Sequence, residues 1–128
     1  MPTTITSKPE NLAVTTQAAL FEKSVEKFEN KPCFGYIDSQ SQIQTLTYGE
    51  VWSKMALIIK WMIENGLQNS QDTKIGFYSS NNFNSRLVYH AILASKMIAV
   101  PVYPSLGKES ILKVFKRSNF GLLGLKNW

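Results

Sequence analysis

Residues 74–102 read KIGFYSSNNFNSRLVYHAILASKMIAVPV, and the fold is decided in this stretch. Lys74-Ile75-Gly76-Phe77-Tyr78 is a short, nearly continuous apolar run, and Met97-Ile98-Ala99-Val100-Pro101-Val102 is a second. Neither alternates apolar with polar residues, so each reads as a strand buried on both faces. Between them Ser79-Ser80-Asn81-Asn82 makes a loop, and a helix is expected from about Asn84 to Lys96 with Leu87, Ala91 and Ala94 on one face. Strands of this kind separated by one helix form a βαβ unit with parallel strands.

Upstream, Thr47-Tyr48-Gly49-Glu50 has capping-box spacing: the threonine hydroxyl accepts from the amide three residues on while the glutamate reaches back. The helix it opens carries Trp52, Met55, Ile59 and Met62 on one face, widened by Val51, Ile58 and Ile63, and closes on a left-handed cap at Asn65-Gly66. Before it, Cys33 to Ile37 and Ile43 to Leu46 read as the strands of a hairpin turning at Asp38-Ser39-Gln40-Ser41. Phe21, Val25 and Phe28 at helical spacing behind Thr16 mark a first, amphipathic helix. Residues 1–14 lack periodicity and are expected to be a flexible lead-in, with the folded region over 15–128.

Downstream, Val100 to Gly107 form a corner in which Pro101 stiffens the strand exit while Pro104 and Gly107 shape the turn. A helix from Lys108 to Arg117 is expected to fold back over the sheet through Ile111, and Phe120 to Leu125 begins another strand-like run. The fold class is thus α/β, built of βαβ units with parallel strands plus a short β-hairpin. A nascent strand at the end leaves the sheet incomplete, as in the front part of a larger domain.

With 128 residues, 44% hydrophobic and 12% aromatic, the chain is of one-domain size and able to form a core. One cysteine excludes an internal disulfide framework. No secretory signal pattern opens the chain, and the most apolar helical stretch, Val51 to Ile63, is broken by Lys54 and Lys60, short of the roughly 20 residues a bilayer crossing needs. The net charge of +5 is uneven: residues 1–72 hold six lysines against eight acidic groups, and residues 73–128 hold eight basic groups against Glu109 alone. Such clustering suits an anionic partner, or acidic groups on a further part of the protein.

Candidate catalytic groups are few. Cys33 and His90 are each the only one of their kind; a cysteine within a strand is ordinarily an inert buried group, and a histidine beside an apolar helical stripe is ordinarily structural. Neither GxGxxG nor GxxxxGK[ST] occurs, and no His, Cys and carboxylate cluster has metal-ligand spacing. The Ser79–Asn82 loop stands at the carboxyl end of a parallel strand, where α/β folds bind ligands, although turn and cap chemistry also explains its residues. Lys108, Lys113, Lys116 and Arg117 read as a solvated face or an anion-attracting one, with membrane favoured over nucleic acid.

Pro32 to Tyr36, Thr47-Tyr48, Gly76 to Asn81 and Val100 to Gly107, taken in order, resemble the opening of the adenylate-forming (AMP-binding) superfamily. The likeness is nearest to eukaryotic long-chain acyl-CoA synthetases and covers roughly residues 16–120. Phe83-Asn84-Ser85 and Pro104 depart from the family pattern. The resemblance implies an N-terminal fragment of an enzyme that joins fatty acid to CoA through an acyl-adenylate, using ATP and Mg. The family's phosphate loop, adenine and magnesium motif, ribose-binding aspartate and C-terminal lysine would all lie downstream. No catalytic, cofactor-binding or metal residue is therefore assigned to this chain, and no cofactor is expected for it alone. Fatty acid, ATP and CoA are partners of the whole enzyme, nucleic acid is not, and the location implied is the cytoplasmic side, free or peripheral to the ER or another membrane. Two other readings stand beside this one: a non-catalytic module pairing with a homologue or an anionic membrane surface, and a free-standing nucleotide-binding domain.

Overall fold

The computed structural model describes residues 15–67, 70–118 and 121–123. In chain order the elements are α1 (Gln17–Phe28), β1 (Pro32–Ile37), β2 (Ile43–Thr47), α2 (Tyr48–Glu64), β3 (Lys74–Tyr78), α3 (Phe83–Ala94), β4 (Ile98–Val102), α4 (Lys108–Ser118) and β5 (Gly121–Leu123). The expected lead-in over 1–14 and the end of the last strand-like run lie outside the described residues.

Local chemistry sets the element ends. Thr16 Oγ1 accepts from the Ala19 amide at 3.1 Å and starts α1. At α2 both arms of the capping box close, Glu50 N to Thr47 Oγ1 at 3.2 Å and Thr47 N to Glu50 Oε2 at 2.8 Å. Its far end is a Schellman turn: Gly66, at φ 84°, donates to the Ile63 carbonyl and Leu67 to that of Met62. In the hairpin, Asp38 fixes the turn by accepting from the Gln40 and Gln42 amides, both at 2.9 Å, and from Gln44 Nε2 at 2.8 Å. β1 and β2 then pair antiparallel from Pro32 with Thr47 to Ile37 with Ile43, the register shifting by one residue between Pro32 and Phe34.

The second sheet has the order β4-β3-β5, and both pairings are parallel. The βαβ expectation holds, but only β3 is buried as foreseen. Ile75, Gly76 and Phe77 are buried, whereas in β4 Ile98 is 42% exposed and Pro101 is exposed. Among the described residues β4 lies at a sheet edge, with no strand on one flank, and an edge tolerates the missing N–H of proline.

Expectations for three further elements are corrected. α3 runs from Phe83 to Ala94 rather than from Asn84 to Lys96, because Asn82 caps it and Lys96 leaves it at φ 59°. Its buried face is Ser85, Leu87, Val88, Ala91 and Ile92, with Ala94 only half-buried. This broad face follows from position: α3 touches α1, α2, β1 and β4, so a single stripe does not suffice. On α2 the fully buried line is Val51, Met55 and Met62, while Ile63 is 50% exposed. The core joins these residues to Ile75, Phe77 and Met97. α4 covers the sheet less than expected: Ile111 and Val114 are half-buried, and the rest of residues 108–117 are exposed.

Candidate functional site

Because β3 and β4 are parallel, both point their carboxyl ends toward one side, and the loops leaving them meet there. The Ser79–Asn82 loop and the Tyr103-Pro104 corner enclose a cleft of about 450 Å³ with the first turns of α3. Phe77, Pro101 and Val102 supply its apolar wall; Ser79, Ser80, Asn81, Ser85, Arg86, Tyr89 and Tyr103 supply polar groups. The loop and the corner, read separately in the sequence, thus form one site at the place where open α/β sheets bind ligands.

The mouth of α3 is already occupied by its own side chains. Asn82 Oδ1 accepts from the Ser85 amide at 2.9 Å, and Ser85 Oγ accepts from the Asn82 amide at 3.1 Å while donating to the Asn82 carbonyl at 2.7 Å. Asn82 Nδ2 further donates to Ser80 Oγ at 3.2 Å. The loop residues are therefore cap and turn residues in fact. Arg86, exposed on the second turn, is the one cation of the cleft lining. Arg86, Tyr89 and Tyr103 were not singled out in the sequence; Arg86 and Tyr89, three apart just after a strand-end loop, were the legible signal.

This donor set does not suit a nucleotide triphosphate. The Ser85 amide is committed to Asn82 and the Arg86 amide to the Asn82 carbonyl, leaving one guanidinium to face three phosphates. The cleft can hold a part-apolar group beside a single negative charge, and no step through ATP is derived from it.

Cys33 and His90 fall in structural settings. The Cys33 thiol is half-buried on β1, and burial raises its pKa, away from the thiolate. His90 sits among rings, with centroids of Tyr89, Phe21 and Phe34 at 5.6, 5.8 and 6.0 Å. Burial, and then the nearby Arg86 charge, lowers its pKa and favours neutral imidazole. Among the described residues no three of His, Cys, Asp and Glu gather at metal-binding distance, and no helix is long and apolar enough to cross a membrane.

The AMP-binding enzyme family model matches residues 21–123, from within α1 to the end of β5. The chain belongs to the AMP-binding enzyme family. Long-chain-fatty-acid–CoA ligase 5 of Rattus norvegicus is 26% identical over 104 residues, covering 81% of this chain and 15% of that protein. Long-chain-fatty-acid–CoA ligase 1 of Homo sapiens is 26% identical over 110 residues, covering 86% and 16%. The chain thus spans about 15% of the length of these relatives. In structure, the N-terminal subdomain of Klebsiella oxytoca NpsA superposes with a TM-score of 0.74 at 13% identity, over 89% of this chain and 29% of that one. A fatty acid AMP ligase from Legionella pneumophila gives 0.69 at 15% identity, over 80% and 18%. These likenesses establish the fold of an adenylate-forming N-terminal subdomain for the described sheet, hairpin and helices.

Proposed function

We propose that this chain is the N-terminal part of a long-chain fatty acid–CoA ligase, and that it supplies scaffold rather than chemistry. The whole enzyme would join a fatty acid to CoA through an acyl-adenylate, drawing on ATP and magnesium. Those groups would be gripped by residues outside this chain. The observation that carries the reading is the run of the family match from Phe21 to Leu123 together with relatives named as long-chain ligases. The occupied cap of α3 supports the second half of it: with the Ser85 and Arg86 amides spent on Asn82, the cleft has fewer preorganised donors to neutralise a reacting phosphate.

Two measurements test this. The 128-residue chain mixed with fatty acid, Mg-ATP and CoA should release no pyrophosphate and form no thioester; thioester formation overturns the scaffold reading. Millimolar ATP should leave its melting temperature unmoved, whereas a rise would favour a free-standing nucleotide-binding domain. The family half is tested by exchange: the matched segment of the rat ligase, replaced by residues 21–123 of this chain, should still give acyl-CoA. A chimera that folds but makes none counts against the long-chain assignment.

A further inference from the structure

α2 buries Val51, Met55 and Met62, and on its outer side Lys54, Leu57, Trp61 and Glu64 are all exposed, Leu57 at 68% and Trp61 at 50%. Their spacing of three, four and three residues is that of a coiled-coil seam, and at about 100° per residue the four share an arc of about 80°. Tryptophan is among the side chains that anchor protein interfaces, and here it stands beside an open leucine. The stripe reads cation, leucine, tryptophan, anion. Run antiparallel against itself about a two-fold axis at the level of residue 59, it sets Lys54 opposite Glu64 and Leu57 opposite Trp61, then repeats both pairs in reverse. A two-fold interface requires self-complementarity of this kind. Lys60, on the flank, lies 3.8 Å from Glu64 of its own helix, the one ion pair among the described residues, so its charge is met within α2 and Lys54 is left for a second copy.

We propose that the outer face of α2 binds a second copy of this chain, as an isologous, antiparallel helix pair. Leu57 and Trp61 of each copy cover one another at the centre, and Lys54 meets Glu64 at both ends. A parallel pairing would set Lys54 on Lys54 and Glu64 on Glu64, so charge selects the antiparallel one. Three turns of helix make a small interface, of the class below about 1,200 Å² that associates transiently, and a dissociation constant of about 0.1–1 mM suits it. The inference is independent of the ligase reading.

The test starts from the unaltered chain. A zero-length carbodiimide added to an equal mixture of isotope-labelled and unlabelled copies should give a covalent dimer whose digest contains Lys54 joined to Glu64 in peptides of mixed isotope. Sedimentation equilibrium then measures the pairing in a chain carrying Ile37→Thr and Ile43→Lys, which removes the exposed isoleucine pair at the hairpin tip. In that background Leu57→Glu should weaken dimerisation at least about tenfold. Lys54→Glu and Glu64→Lys should each weaken it about threefold, and the two together should restore it to within about twofold, because the two sites lie about 15 Å apart along one helix and can meet only between copies. A dimer unmoved by Leu57→Glu, a double swap no tighter than the weaker single, or monomer alone at about 1 mM each overturns the proposal. Should a variant fail to fold, the cross-link on the unaltered chain decides: a covalent dimer without the mixed Lys54–Glu64 peptide removes α2 as the interface.

Discussion

At the scale of single residues, His90 sets how the fold responds to mild acid. It is the only histidine of the chain, and burial followed by the Arg86 charge lowers its pKa from the ordinary 6.5. A group whose pKa is depressed in the folded state binds protons more readily when unfolded, so stability is full above the unfolded pKa and drains away as pH falls through the folded one. The melting temperature should therefore drop as pH falls from about 6.5 toward 5, the window below the imidazole's ordinary pKa. Asp38 is shifted down from 3.8, so its own loss comes only below that value and leaves the window clear. His90→Phe, which keeps a ring among Phe21, Phe34 and Tyr89, should flatten the profile, and an NMR titration should place the His90 midpoint below 6.5. A midpoint at or above that value would remove the buried-ring account. That His90 and Cys33 would lie in partly buried, apolar surroundings was legible because each stood alone in an apolar stretch. The reciprocal cap of Asn82 and Ser85 was not, since its Asn-x-x-Ser form lacks the glutamate that marks the box at Thr47 and Glu50.

At the scale of elements, one aromatic seam holds the hairpin to the parallel sheet. Phe83, at the start of α3, stacks on Tyr36 at 4.9 Å and meets Phe34 edge-on at 5.8 Å, so β1 is tied to the helix beside the cleft. Such pairs contribute about 0.5–1.5 kcal/mol beyond the area they bury. A double-mutant cycle with Tyr36→Ala and Phe83→Ala, followed by urea denaturation, should return a coupling of about 1 kcal/mol. Strict additivity would show that the rings touch without holding the hairpin. The elements themselves were legible because caps, turns and short apolar runs act over three or four residues: Thr16, Thr47 and Gly66 all mark ends where expected. The seam was not, because Tyr36 and Phe83 are far apart in sequence and neither carries a local signal of its partner.

At the scale of the whole molecule, strand order was the part hidden from the sequence. Ile98 to Val102 is as apolar as Lys74 to Tyr78, yet β3 is central and β4 is an edge, and only pairing partners distant in the chain decide which is which. The cleft was hidden for the same reason, since it exists only once the ends of both strands lie side by side. Apolar surface is also left open at the tip of the hairpin, where Ile37 and Ile43, 71% and 78% exposed, face each other across the strands. A cross-strand isoleucine pair in water is stable within a hairpin but adhesive toward another copy. Replacing it by Ile37→Thr and Ile43→Lys keeps a strand-forming residue and adds an edge charge, and exposed sites of this kind shift stability by only about 0.5 kcal/mol. The doubly substituted chain should therefore melt within a few degrees of the parent, yet bind less of a hydrophobic dye and remain monomeric to higher concentration in sedimentation velocity. A fall of 10 °C or more would show that the pair is packed rather than displayed.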